Sequence, residues 1–346
     1  MRLWLRLLQC IAYSTSMNDH IPLLGAWLGV ILLGCIVFTN AVEWLGRRLN
    51  MGEGAVGSVF AAVGTAAPET IVGLAAILLV GKGAGHEIGV GAILGAPLLL
   101  STLAMPITGI AVLASADRRP QRRRMEVNLR VLRRDLRWFY ILFAAVILVS
   151  IHPIWPLRIA AALLIASGYV YYVRLHLKEA AEEHAALAPL YFAPSSALPS
   201  SMAIGAQCLI SLSAILVGAY LFAQRVKVAS AAWGVSPEVI ALILAPIATE
   251  LPEKMNSVIW VRQGKDTLAL GNITGAMVFQ GSVPVVLGML LTAWNLDRPA
   301  FAAMLCAVAA ASVLSLNIGL YRRLSPAALI ACGAFYLTWV SATFWL

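Results

Sequence analysis

The chain is short of charge. Asp, Glu, Lys and Arg supply only 12% of its 346 residues, whereas a soluble domain of this length carries about 25%. That deficit excludes an ordinary soluble globular protein. The formal charge of +9 raises the idea of a nucleic-acid partner, but no separate soluble stretch exists on which a binding face could be built, so no nucleic acid is expected. Cysteine is sparse and scattered: Cys10, Cys35, Cys208, Cys306 and Cys332 form no C-x-x-C pair and no zinc spacing. They read as small apolar packing residues. His20, His86, His152, His176 and His184 are equally dispersed. With no H-E-x-x-H, His-Cys cluster, aspartate pair or Ser-His pair, neither an enzyme nor a resident cofactor is expected.

What the chain has in excess is apolar length. Hydrophobic residues reach 61% and the mean hydropathy is +0.85. Crossing a bilayer takes about 20 apolar residues at 1.5 Å rise, and such stretches fall at 22–46, 54–81, 86–114, 137–152, 154–176, 203–223, 235–262, 267–293, 299–321 and 325–345. The pattern predicts an all-α integral membrane fold with ten transmembrane helices. Only "HPIWP" separates the short fourth stretch from the fifth, which suits a tight hairpin. Loops after the odd-numbered stretches hold 17 Lys and Arg, nine of them in "RRPQRRRMEVNLRVLRRDLR", against 7 on the other side. The positive-inside rule then puts those loops in the cytoplasm and both termini outside. The Arg-rich loop, 117–137, is by default a solvated topology signal, and it also has the chemistry to bind anionic lipid. Residues 1–21, with Arg2 and Arg6 ahead of a short apolar run, fit either a signal-like or an interfacial segment.

The chain also repeats itself. "GSVFAAVGTAAPETIVGLAA", from Gly57, recurs as "ALILAPIATELPEKMNSVIW", from Ala241, so that Thr65, Pro68 and Glu69 correspond to Thr249, Pro252 and Glu253, 184 residues later. "GAILGA", Gly91 to Ala96, matches "GNITGA", Gly271 to Ala276, 180 residues later. A five-helix unit is used twice, and because five is odd the second copy enters the membrane from the opposite face. Inverted repeats of this kind are common in secondary transporters. The expected organisation is an N-terminal segment 1–21, a first repeat 22–177, a cytoplasmic linker 178–202 and a second repeat 203–346.

Proline inside a helix removes its own N–H bond and clashes with the carbonyl four residues earlier. Pro68 would free the carbonyl of Gly64 and Pro252 that of Ala248, so broken helices are expected near the bilayer midplane, where irregular backbone survives only inside protein or beside water. Glu69 and Glu253 follow the two prolines directly. A charge at mid-membrane costs about 2.5–3.5 kcal/mol, and two carboxylates together cost more. A bound cation relieves both penalties. Carboxylates, freed carbonyls and the hydroxyls of Thr65 and Thr249 make an all-oxygen set that favours Ca²⁺, Na⁺ or Mg²⁺; without a cation, each glutamate would have to be protonated and hydrogen-bonded. Glu43, beside Arg47 and Arg48, is expected to form an i, i+4 pair at the interface.

These paired segments resemble the two α-repeats of the sodium/calcium exchanger family, in the cation/Ca²⁺ antiporter superfamily, whose motif reads approximately G-T-S-x-P-E, followed in the next helix by G-N-x-x-G-S-N. The resemblance implies a prokaryotic-type, multi-pass plasma-membrane protein that exchanges cations by alternating access. Glu69 and Glu253 would be the central cation-binding carboxylates, with Thr65 and Thr249 beside them. Departures from the pattern are confined to identifiable positions. The motif serine is Ala66 in the first half and Glu250 in the second; the G-S-N serine is Ala96 and Ala276, its asparagine is Pro97 and Met277, and the polar position one turn beyond is Leu100 and Gln280. Side-chain oxygens that would build separate Na⁺ sites are therefore missing. Glu250 and Lys254 stand four apart in the order that favours a helical ion pair, while Ala66 and Thr70 hold the first-half positions. Glu250 is thus either neutralised by Lys254 or a third cation ligand. Asn256 and Asn272 are lesser candidates, and Asn272, opposite Ala92, reads as a helix-packing or backbone hydrogen-bonding residue before a ligand.

The expected function is a secondary cation antiporter exchanging Ca²⁺, or a similar hard cation, for Na⁺ or H⁺. The alternatives are a proton-coupled exchanger without Na⁺ sites, a membrane-embedded enzyme using the carboxylates as acid and base, or a non-transporting scaffold. Inorganic cations and the lipid bilayer are the expected partners; the oligomeric state is not legible.

Overall fold

The computed structural model describes residues 20–48, 68, 70–179, 188–196 and 198–345, with backbone alone at His20, 176–179, 251–256 and Trp345. The N-terminal segment and the stretch holding Gly64, Thr65 and Glu69 lie outside these residues. The described chain is helical nearly throughout: α1 His20–Arg48, α2 Thr70–Val80, α3 Ala84–Ala114, α4 Leu129–Ile151, α5 Trp155–Glu179, α6 Ser201–Trp233, α7 Pro237–Arg262, α8 Asp266–Leu291, α9 Arg298–Tyr321 and α10 Pro326–Phe344. Among the described residues, seven of these (α1, α3, α5, α6, α8, α9 and α10) are long and apolar enough to cross a membrane. Charges dilute α4 and α7, and α2 is described only from Thr70. The protein is a multi-pass all-α membrane protein.

The sequence places α4 eight residues too late. Asn128 caps it, its Oδ1 accepting from the Arg130 N–H at 3.0 Å, so the second half of the Arg-rich stretch is helix. Leu132, Leu136 and Phe139 are buried on one face while Arg130, Arg133 and Arg137 stay exposed, the 3.6-residue stripe that a basic amphipathic turn needs. The α4–α5 hairpin is as tight as expected, with His152–Ile154 joining Ile151 to Trp155. Similarly, α6 runs on to Trp233, so Arg225 and Lys227 belong to a helix, with Arg225 buried. Glu43 does not pair with Arg47. Arg47 lies over the Trp44 ring at 5.3 Å and Arg48 donates to Ser201 Oγ at 3.2 Å, because the aromatic face one turn away satisfies the cation.

The chain divides into two compact units, Met1–Ala92 with Val170–Thr249 and Ile93–Tyr169 with Glu250–Leu346. Each draws on both halves of the sequence, so compactness does not follow the repeat boundary. In the first unit α1 packs along α6. Gly34 abuts Ile215 and Gly218 abuts Ile31, where an added Cβ would sit 2.8 and 3.1 Å from the opposing Cγ1 atoms. Small residues let apolar helices approach in lipid, where dispersion replaces the hydrophobic driving force. Asn40, Trp44 and Gln207 fasten the linker to this pair: Trp44 Nε1 donates to Ala188 O at 2.9 Å, Gln207 Nε2 to Asn40 Oδ1 at 2.9 Å, and the Phe192 N–H to Gln207 Oε1 at 2.9 Å.

The second unit is held by charges as well as packing. Arg119, after α3, meets Asp266 at the start of α8 through two bonds of 2.9 and 2.8 Å, both side chains fully buried. Arg158 of α5 donates to the carbonyls of Met289, at 3.2 Å, and Thr292 at the end of α8. A cation there complements the helix dipole.

Candidate cation site

The motif Ile247–Val258 lies on α7, which is continuous from Pro237 to Arg262. The break expected at Pro252 is therefore corrected to an unbroken helix. A single lost hydrogen bond is tolerated in a long helix whose flanks are both packed, and here Ala245 and Ala248 are buried in the first unit and Val261 in the second. Thr249 is buried, its hydroxyl donating to Ala245 O at 3.3 Å, which leaves its lone pairs to other groups. Glu250, the next residue, is 0% exposed. Helical geometry keeps Glu250 and Lys254 one turn apart on one face. The side chains of Glu253, Lys254 and Asn256 are outside the description, as are Gly64, Thr65 and Glu69 altogether.

Gln280 comes from the one place where α8 is interrupted. Its first segment ends at Gln280, Gly281 and Ser282 form a turn, and a second segment starts at Val283 with Pro284 in its first turn. Gln280 is 1% exposed and its Nε2 donates to Glu250 Oε1 at 3.4 Å, within the second unit. Among the described residues the Gln280 Oε1 accepts no hydrogen bond. A side-chain amide and a carboxylate are thus brought together in a buried place through an N–H···O bond, and both groups also carry hard oxygens of the kind that bind Ca²⁺. Asn272 Nδ2 reaches Ser257 Oγ at 3.5 Å, a side-chain contact between α8 and α7.

Two features were not anticipated. Thr274, inside the "GNITGA" motif, donates its one hydroxyl proton to the buried Asp135 of α4 at 2.7 Å, with Leu270 O the alternative acceptor at 3.0 Å. Asp135 was hidden by its arginine-rich surroundings, where a lone acid reads as loop charge. The second is a pair of irregular turns in the third helix of each half. α3 widens into a π turn at Leu100–Ala104, and 180 residues later α8 turns at Gly281–Ser282. The same hydroxyl bond marks both: Thr102 Oγ1 donates to Leu98 O at 2.5 Å, and Ser282 Oγ to Val278 O at 2.7 Å. Pro97 and Pro284 were the available signals. Among the described residues no group of three His, Cys, Asp or Glu is close enough to hold a metal ion.

Known proteins resemble this chain over most of its length. The sequence profile described as "Sodium/calcium exchanger protein" matches residues 20–178 and again 205–345. A putative antiporter, CaxA, of Alkalimonas amylolytica is 29% identical over 120 residues, which spans 34% of this chain and 38% of that relative. Among solved structures, the H⁺/Ca²⁺ exchanger CAX superposes with a TM-score of 0.74 at 15% identity, covering 98% of this chain and 85% of the other. The sodium–calcium exchanger NCX_Mj, soaked with Na⁺ and Sr²⁺, gives 0.56 at 20% identity, covering 94% and 99%.

Proposed function

From its place in the sodium/calcium exchanger family, to which the chain belongs, we propose that it is a secondary active cation antiporter of a prokaryotic plasma membrane. It moves Ca²⁺, or a similar hard cation, against Na⁺ or H⁺ by alternating access. One observation carries this reading: the family profile matches each half separately, and each half carries Thr-x-x-Pro-Glu at corresponding positions, Thr65 to Glu69 and Thr249 to Glu253. Ten spans in two inverted five-helix repeats, 22–177 and 203–346, with both termini outside, complete the reading. Glu69 and Glu253 hold the cation, assisted by Thr65, Thr249 and the carbonyls of Gly64 and Ala248. Glu250 and Gln280 add oxygens on one side, and Lys254 compensates charge.

The buried, apolar character of Ala96 and Met277, where the family carries serine and asparagine, favours H⁺ over Na⁺ as the second ion. A site lacking those oxygens has fewer ligands for a monovalent metal ion, whereas a carboxylate takes a proton without them. Flux in proteoliposomes tests both statements. Glu69→Gln with Glu253→Gln is expected to abolish ⁴⁵Ca²⁺ exchange, and unaltered exchange would sink the site. Exchange driven by a pH gradient without Na⁺ supports proton coupling; strict dependence on Na⁺ removes it.

A further inference from the structure

The Arg-rich stretch after α3 plays no part in the cation site. Within the second unit it folds onto the ends of α7, α8 and α9. Arg119 and the Glu126 N–H both bind the Asp266 carboxylate, the latter at 2.9 Å, and the Asn128 N–H donates to Thr267 Oγ1 at 2.9 Å. Arg133 Nη2 donates to Ile318 O at 3.3 Å, at the end of α9. Those contacts hold the stretch in place. They leave a cavity of about 420 Å³ between residues 125–127 with Leu129 on one side and residues 322–324 on the other, well within the size of a small-ligand site.

The geometry points to this cavity as a binding site for the headgroup of an anionic phospholipid, its phosphate held by Arg322 and Arg323. Among the described residues neither arginine has a carboxylate within ion-pair distance. Glu126 also lines the cavity, but its Oε2 accepts from Gln121 Nε2 at 3.3 Å, and two guanidinium groups outweigh one carboxylate. The negative end of the α9 dipole would oppose an anion. The Ile318 carbonyl there is already taken by Arg133 and by the Arg322 N–H at 3.1 Å. Arginine, with its planar fork, is the side chain best matched to phosphate oxygens.

A lipid fits better than free phosphate because of what leads to the cavity. On α9, Leu316, Leu320 and Tyr321 are 63, 75 and 61% exposed. They form an apolar track for an acyl chain, ending in a tyrosine suited to the headgroup level. The floor is apolar too, with Met125 and Leu324 buried. Around it Arg118, Arg122, Arg123, Arg124 and Arg130 are exposed, a field that concentrates anionic lipid without needing a specific geometry.

The test uses the full chain in neutral detergent, titrated with phosphatidylglycerol, phosphatidylcholine or inorganic phosphate, with bound lipid read by native mass spectrometry and stability by thermal unfolding. Phosphatidylglycerol is expected to remain bound and to raise the unfolding midpoint. In Arg322→Asn with Arg323→Gln its apparent affinity is expected to fall roughly 30-fold. Asparagine is chosen because Arg322 has φ +50°, a region asparagine tolerates, and the lipid-free midpoint reports whether the variant folds. Should that midpoint drop, Arg323→Gln alone carries the test, with a loss of roughly fivefold. The surface control, Arg123→Gln with Arg130→Gln, is expected to lose far less. Equal binding of phosphatidylcholine, equal protection by inorganic phosphate, or an equal loss in the surface control each overturns the proposal.

Discussion

At positions 180 residues apart, α3 carries His86, Gly91, Ala92, Leu94 and Leu100 where α8 carries Asp266, Gly271, Asn272, Thr274 and Gln280. The four polar side chains at these positions of α8 each have a partner: Asp266 with Arg119, Asn272 with Ser257, Thr274 with Asp135 and Gln280 with Glu250. In α3 the close contact is a backbone approach at Gly91, where an added Cβ would overlap the Glu238 carbonyl oxygen and sit 3.1 Å from the Leu242 N, whereas at Gly271 it would meet nothing within 4 Å among the described residues. Among the described residues, one sequence pattern therefore fixes a helix by close approach in its first copy and by directional hydrogen bonds in its second. The asymmetry of Leu100 against Gln280 belongs to this helix-wide difference.

The comparison breaks most severely at Arg119. Replacing it with methionine strands a buried carboxylate, and breaking a buried ion pair costs about 3–5 kcal/mol. Arg119→Met is expected to lower thermal stability in detergent by that order, and Arg119→Met with Asp266→Leu to recover much of it. A double variant no better than the single would mean that Arg119 acts through its carbonyl partners Val261, Arg122 and Arg124 rather than through the ion pair. The glycines come next. Gly91→Ala must push aside backbone, an overpacking cost of about 1–3 kcal/mol. Gly271→Ala is expected to be neutral or to stabilise by about 0.5–1 kcal/mol, the helix-propensity gain of alanine over glycine. Matching unfolding shifts for the two would erase the distinction drawn between the helices.

The helices were legible because length and apolarity suffice to find a membrane span, and the repeat was legible because Thr, Pro and Glu recur at fixed spacing. Three things were not. α4 began earlier than expected because arginines on an amphipathic turn look like a loop when charge alone is counted. Pro252 read as a break because proline's local cost is visible in sequence, while the packing that carries α7 through it is not. Asp135 and Thr274 became partners only when α4 lay beside α8, a tertiary fact with no local signature. In the candidate site, sequence singled out Glu250 and Gln280 separately, and only the fold brought them within 3.4 Å.

Thr274→Val tests the buried Asp135 contact with little change of shape. Interhelical hydrogen bonds in membrane proteins average about 0.6 kcal/mol with a maximum near 1.7, and a carboxylate acceptor puts this one in the upper part of that range. A loss of about 1–2 kcal/mol is expected on thermal unfolding. No loss would mean that Asp135 is fully satisfied by other groups and that Thr274 is simply a packing residue, as Leu94 is in α3.

Gln280→Leu has the smallest expected loss of stability and says most about the site. It gives α8 the residue that α3 already has at the equivalent position, Leu100, and removes only a long hydrogen bond, so the unfolding free energy should fall by about 0.5 kcal/mol. Its effect on cation binding is a separate quantity. With Nε2 turned to Glu250, the amide oxygen is buried and accepts no hydrogen bond among the described residues, and the proposed role of Gln280 as a cation ligand would use that oxygen. Stabilisation by a ligand grows as RT ln(1 + [L]/Kd), so a tenfold weaker site loses about 1.4 kcal/mol of it at high cation concentration. A Ca²⁺ titration followed by thermal unfolding is therefore expected to give a smaller shift for Gln280→Leu than for the unaltered chain. An equal shift in both would confine Gln280 to orienting Glu250 and would remove it from the proposed ligand set.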